Sequence, residues 1–181
     1  MNLTDLLFDK SNSSAISEFA KNFGVNDSQA KDAISSLAKS LSHGLGQNAK
    51  DPKGLDSLLD ALKSGKHSRY IDDPSILGRK ETTQDGNDIL GHIFGNKDVS
   101  RHVSKRASKE TGLGSSLLKK MLPVVATMVM ASLGKKMLGG GKSAPSRQES
   151  TGFLTKILDR DKDGSIIDDV LGMAFKAFMA R

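Results

Sequence analysis

Apolar residues in this chain return at every third or fourth position, and runs of alternating β-branched residues are absent. That period collects side chains on one face of a helix and gives a strand no consistent inner face, so the chain is expected to be all-α, a multihelical bundle. Glycines punctuate the pattern. From about Ser13 to Phe23, the residues Ile16, Phe19, Ala20 and Phe23 share one stripe, which Gly24 stops. Asn26 or Asp27 can cap the next helix, whose Ala30, Ala33, Ile34, Leu37, Ala38 and Leu41 form an apolar face running to Gly44. A brief helix over "LTDLLF" precedes these two, and a short one over "GLDSLLDALKSG" follows, closed by Gly65.

Residues 66–86 lose the period and contain Pro74, which reads as a surface loop. Order resumes at "GNDILGHIFG", with Ile89, Leu90, Ile93 and Phe94 as its apolar side. Asp98 then caps "VSRHVSKRASKETG", where Val99, Val103 and Ala107 recur every four residues. Gly112 and Gly114 interrupt the chain before the apolar helix "SSLLKKMLPVVATMVMASLGKKM". Segment 111–134 also aligns with segment 23–46 at an offset of 88 residues, pairing Gly24 with Gly112, Leu37 with Val125, Leu41 with Val129, and two Leu-Gly endings. The alignment suggests an internal helix–turn–helix repeat whose long helices share a core; two amphipathic helices also match by chance. The domain plan is a main body over 1–137, a flexible Gly-rich linker over 138–150 and a helix–loop–helix tail over 151–181.

Composition narrows the classes of activity. With seven Phe, one Tyr and no Trp, the core must be Leu, Ile, Val, Ala and Met; with no Cys, disulfides, thiol catalysis and thiolate zinc sites are excluded. The start "MNLTDLLFDKSNSS" carries Asp5 and only a brief apolar run, so no secretory signal is expected and the setting is taken as cytoplasmic. The longest apolar run, Met121 to Leu133, falls short of the ~20 residues a bilayer span needs and is flanked by lysines, so it reads as a buried core helix rather than a membrane segment. The net charge of +6 is concentrated in residues 66–149, which carry 15 basic and 8 acidic groups. Such an excess suits a polyanion or a plain solvated face.

One stretch has metal-ligand spacing. In "LDRDKDGSIIDD", Asp159, Asp161 and Asp163 take positions 1, 3 and 5 of an EF-type calcium loop, Gly164 takes the turn at 6, and the Ser165 carbonyl falls at 7. Val170 stands where a bidentate acid normally closes the loop, so Asp169 or Asp168 must supply the last oxygens, directly or through water. The alternatives are a solvated turn whose last acids sit at a helix N-terminus, or a magnesium ion. Calcium fits best, because three carboxylates crowd one turn.

A second candidate is nucleic-acid binding. "FAKNFGVNDSQAKDAISSL" has the small residue, turn glycine and second helix of a helix–turn–helix, presenting Ser28, Gln29, Lys31, Asp32, Ser35 and Lys39 outward. Gln29 and Lys31 suit base or phosphate contacts, while Asp32 opposes them. Arg101, Lys105, Arg106 and Lys109 on the helix 98–110 offer phosphate contacts. A plain helical hairpin accounts for the same pattern. His43, His67, His92 and His102 are scattered without ligand spacing, "GGGKS" lacks the strand–helix context of a phosphate loop, and no catalytic constellation stands out, so the protein is not expected to be an enzyme.

The segments "GNDILGHIFG", "SKETGL", "LLKKMLPVVATMVMASLG" and "LDRDKDGSIIDDVLG" together resemble a bacterial family of unknown function related to YidB-like proteins, over about residues 15–181. The resemblance implies a small helical protein with a homeodomain-like element and implies no activity. The sequence thus points to a non-enzymatic calcium-binding protein acting in protein interaction or assembly, with self-association through the C-terminal tail; the alternative is a DNA-binding protein.

Overall fold

The computed structural model describes residues 2–64, 66–139 and 146–158; within them all regular structure is helical. Helices α1 (Leu3–Leu7), α2 (Ser13–Phe23), α3 (Asp27–Lys50), α4 (Pro52–Lys63) and α5 (Arg69–Asp72) are followed by α6 (Lys80–Phe94), α7 (Lys97–Thr111), α8 (Ser115–Leu138) and α9 (Arg147–Leu158). The bundle is built around α8. Every residue from Met121 to Gly134 is buried, and a helix that is apolar all round must be sheathed on all sides. Helices α1, α3, α4, α5, α6 and α7 supply the sheath. By length and composition α8 is long and apolar enough to cross a membrane, but 83% of its most apolar span is buried inside the protein.

Pro123 lies within α8. Having no N–H, it leaves the Lys119 carbonyl without its helical partner. Gly86 of α6 packs against the same turn, where a Cβ would collide with the Pro123 carbonyl.

The second long helix, α3, opens with a reciprocal cap: Asn26 accepts from the Gln29 amide at 2.8 Å, and Gln29 accepts from the Asn26 amide at 3.1 Å. Its inner face is Ala30, Ala33, Ile34, Leu37, Ala38, Leu41 and Leu45. The expected stop at Gly44 is not a stop. The helix continues to Lys50 because Gly44 fits against Ile93 and Phe94, which a Cβ there would strike. Shifting the bounds of α3 by 88 residues reproduces those of α8, and the preceding helices both end on left-handed glycines, Gly24 (φ 65°) and Gly112 (φ 73°).

Residues 66–86 are not a loop. They form α5, a 3₁₀ turn over Pro74–Ile76 and the first turns of α6, which begins at Lys80. Individual contacts hold this strap in place of a helical period: Tyr70, Ile71 and Leu77 are buried, and the Thr82 hydroxyl donates to the Ile76 carbonyl at 2.6 Å. The cap of α7 is Asn96 rather than Asp98; Asp98 instead pairs with Arg101 at 2.6 Å.

At the other end, α8 extends through Leu138 and α9 starts at Arg147. Leu154, Ile157 and Leu158 of α9 are buried, and α9 packs on α3 near Gly46.

Candidate functional site

The exposed side of α7 carries its charge in register. Val99, Val103 and Ala107 turn into the core, while Lys97, Arg101, Lys105 and Lys109 recur every four residues in solvent. On an α-helix that spacing makes a slowly winding stripe with one cation about every 6 Å along the axis. The turn after α7 leads into Lys119 and Lys120, also exposed, and residues 97–120 together hold seven Lys or Arg against two acids.

Helix α7 packs against α3. The Ser36 hydroxyl donates to Glu110 Oε2 at 2.5 Å, and Asn48 Nδ2 donates to the His92 carbonyl at 2.9 Å. With Gly44 against Ile93 and Phe94, these contacts make α3 antiparallel to the α6–α7 edge. Gln29, two turns before Ser36, therefore shares the Ser36 side of α3 past the C-terminal end of α7, while Lys31, two positions on, points to another side of the helix. Ser28, Gln29, Lys31, Asp32 and Lys39 are exposed and Ser35 is half-buried.

The candidate contacts are not equivalent. Gln29 already uses its carbonyl oxygen in the α3 cap. Arg101 is paired with Asp98, and Arg106 Nε donates to Glu110 Oε1 at 2.7 Å. Lys31, Lys105 and Lys109 are exposed. Partial burial pushes the Glu110 carboxyl up, but hydrogen bonds from Ser36 and Arg106 and the charge of Lys39 outweigh it and hold the group below its ordinary value. Glu110 is therefore an anion at the seam between α3 and α7, beside Arg106.

A second polar cluster, in the strap, has almost no signature in the sequence. The Tyr70 hydroxyl donates to Asp85, and Arg69 Nη2 lies 2.7 Å from the same carboxylate and 2.8 Å from the Tyr70 oxygen. The Tyr70 bond holds the Asp85 carboxyl low, while burial pushes the Tyr70 phenol up. A protonated phenol on an ionised carboxylate is an anchor, and it fastens the strap to α6. Lys135 fastens it to α8 through Asp72 at 2.9 Å. The neighbouring His67 borders a cavity of about 280 Å³ with Leu62, Met130, Lys135 and Leu138. Its Nδ1 is buried with no hydrogen-bond partner, and burial pushes the imidazole down. The lone tyrosine in an aperiodic stretch is the one signal of this cluster, since its partner lies 15 residues away.

The calcium ligands expected at Asp159, Asp161, Asp163, Ser165, Asp168 and Asp169 lie outside the described residues. Among the described residues no group of three His, Asp or Glu side chains is placed to hold a metal ion. His92 and His102 are exposed, His43 is half-buried on α3, and His67 sits in the strap.

A model of the DUF937 family, described as a bacterial protein of unknown function, matches residues 5–136. The match takes in α3, the strap, α7 and nearly all of α8, and stops before α9 and the acidic segment. No curated protein and no solved structure matches the chain.

Proposed function

For a chain that belongs to the DUF937 family of bacterial proteins, we propose a non-enzymatic binding role: α3 and α7 form one face that takes a nucleic-acid duplex. The observation carrying this reading is the Ser36–Glu110 hydrogen bond, which pins α3 alongside α7, the helix that carries the basic stripe. In this reading α2, Gly24 and α3 are a homeodomain-like helix–turn–helix with α3 as its reading helix. Asp27 and Asp32 leave the start of α3 without net positive charge, so α7 and the Lys119–Lys120 pair supply the phosphate contacts. Their spacing of about 6 Å is close to two steps of duplex at 3.4 Å per strand. The narrower kinship with YidB-like proteins and a cytoplasmic setting belong to the same proposal. In a mobility assay at about 50 mM salt, where counterion release favours binding, the wild type should shift a duplex and Arg101→Ala/Lys105→Ala/Arg106→Ala should weaken the complex. Absence of any shift by the wild type would sink the reading.

A second reading, calcium-dependent interaction or assembly, is favoured by α9. The described part of that helix reaches Leu158, the residue before Asp159 in sequence; it packs on α3, and its Leu154, Ile157 and Leu158 are buried. An ion bound by Asp159, Asp161, Asp163 and the Ser165 carbonyl, closed by Asp169 or Asp168, would thus be tethered to the bundle, and the tail beyond it would offer the surface for a protein partner or a second copy. Calorimetry should find one calcium site with Kd on the order of 10⁻⁵ to 10⁻³ M, weak because Val170 replaces the closing acid. Undiminished affinity in both Asp159→Ala and Asp163→Ala would remove the site.

A further inference from the structure

Of the two acids in residues 97–120, one is placed where helix electrostatics welcome it and one is not. Asp98 lies in the first turn of α7, at the positive end of the helix dipole. Glu110 lies in the last turn, where the negative end opposes a carboxylate. It is held there from outside the helix, by the Ser36 hydroxyl of α3 at 2.5 Å, and from within it, by Arg106 Nε at 2.7 Å. Ser36 is buried and the Glu110 side chain is about one-third exposed, so the carboxylate is anchored at its inner oxygen and reachable from solvent. Lys39 and Lys109 are exposed nearby, so Glu110 lowers the charge of the part of the face where α3 and α7 meet.

We propose that Glu110 is a built-in competitor for phosphate: tethered by Ser36, it holds Arg106 along α7 and yields it when a phosphate arrives. The inference rests on the nucleic-acid reading above. The pair is well suited to exchange. Both partners are about one-third exposed, so the pair is open to solvent on one side, and a guanidinium takes phosphate oxygens as readily as carboxylate oxygens. A lone anion meets the competing carboxylate at Arg106. A duplex that also engages Lys105 and Lys109 displaces it, because the other contacts hold its backbone against the site. Glu110 therefore sets selectivity for extended polyanions over single phosphates.

The test is a salt titration of duplex affinity for the wild type, Glu110→Gln, Arg106→Ala and the double variant, each checked for a cooperative unfolding transition. In Glu110→Gln the amide oxygen still accepts from Ser36, so the seam keeps its geometry while the competing charge is gone. Its affinity should rise about 3- to 10-fold near 100 mM salt, and the slope of log affinity against log salt should steepen by about 0.9. The gain should vanish in Glu110→Gln/Arg106→Ala, and inorganic phosphate should inhibit Glu110→Gln at lower concentration than the wild type. Should Glu110→Gln fail to fold, Glu110→Ala carries the same expectations. A wild type that binds duplex while Glu110→Gln binds equally or more weakly overturns this inference and spares the reading beneath it. A gain that persists without Arg106 also overturns it. A wild type that binds no duplex at about 50 mM salt overturns both.

Discussion

Gly86 shows how much one absent methyl group decides. It faces the Pro123 carbonyl where α6 and α8 meet, and a Cβ there has no room to settle because the obstacle is backbone. Gly86→Ala should cost about 2–3 kcal/mol in urea unfolding, as overpacking against an immovable partner does. Gly91, on the same helix and exposed, has open space where a methyl group would go, with nothing within 4 Å, and Gly91→Ala should instead be neutral or stabilise by up to about 1 kcal/mol. Equal effects at the two positions would refute the close packing of α6 on α8. His67 gives the fold a pH dependence of known sign. Burial holds its folded value below the ordinary 6.5; Asp85 opposes this, while Arg69 and Lys66 reinforce it. The unfolded chain therefore takes up the proton first as pH falls, so the stability contributed by neutral His67 is full above 6.5 and is lost through the folded value. Unfolding free energies at pH 7.5, 6.5 and 5.5 should fall more steeply for the wild type than for His67→Gln; parallel curves would contradict the burial argument.

At the scale of elements, the helices most legible in sequence are those that carry their own punctuation. In α2 and α3, an apolar stripe, a left-handed glycine and an Asn-x-x-Gln cap all lie within 20 residues of one another, and each is a local signal. The extension of α3 past Gly44 is not legible, because the reason is Ile93 and Phe94, about 50 residues away. The strap passes for a loop because Tyr70 with Asp85 and Thr82 with Ile76 are individual contacts with no period to detect. The basic face is half legible. Gln29, Lys31 and the α7 cations stand in the sequence as separate clues; the Ser36–Glu110 bond that joins them leaves no trace in it. Two measurements address these elements. Asn26→Ala removes the cap of α3 and should cost about 1 kcal/mol of stability. Leu154→Ala/Ile157→Ala should strip α9 from α3, seen as lost amide protection in α9 while α3 and α8 stay protected; simultaneous loss in all three would show that α9 belongs to the cooperative core.

The described residues form a sheath around α8, with a row of cations on the outer side of α7. The same apolar helix that could pass for a membrane span by composition is the inner post of the bundle, and its close neighbours α6 and α7 carry the strap contact and the basic stripe on their outer sides. Folding thus presents α7 to solvent as a consequence of burying α8: Val99, Val103 and Ala107 are used inward, and Lys97, Arg101, Lys105 and Lys109 are left outward. The proposed nucleic-acid role requires this outward face to bind duplex by neutralising phosphates. Its most direct test is fluorescence anisotropy of a labelled duplex of about 20 base pairs, titrated from roughly 50 to 300 mM salt with the wild type and Lys105→Ala/Lys109→Ala. Wild-type binding should weaken linearly on a log–log plot, with a slope shallower by about 1.8 in the double variant, 0.9 for each lysine removed. No binding by the wild type at about 50 mM salt, or identical slopes for the two proteins, would contradict it.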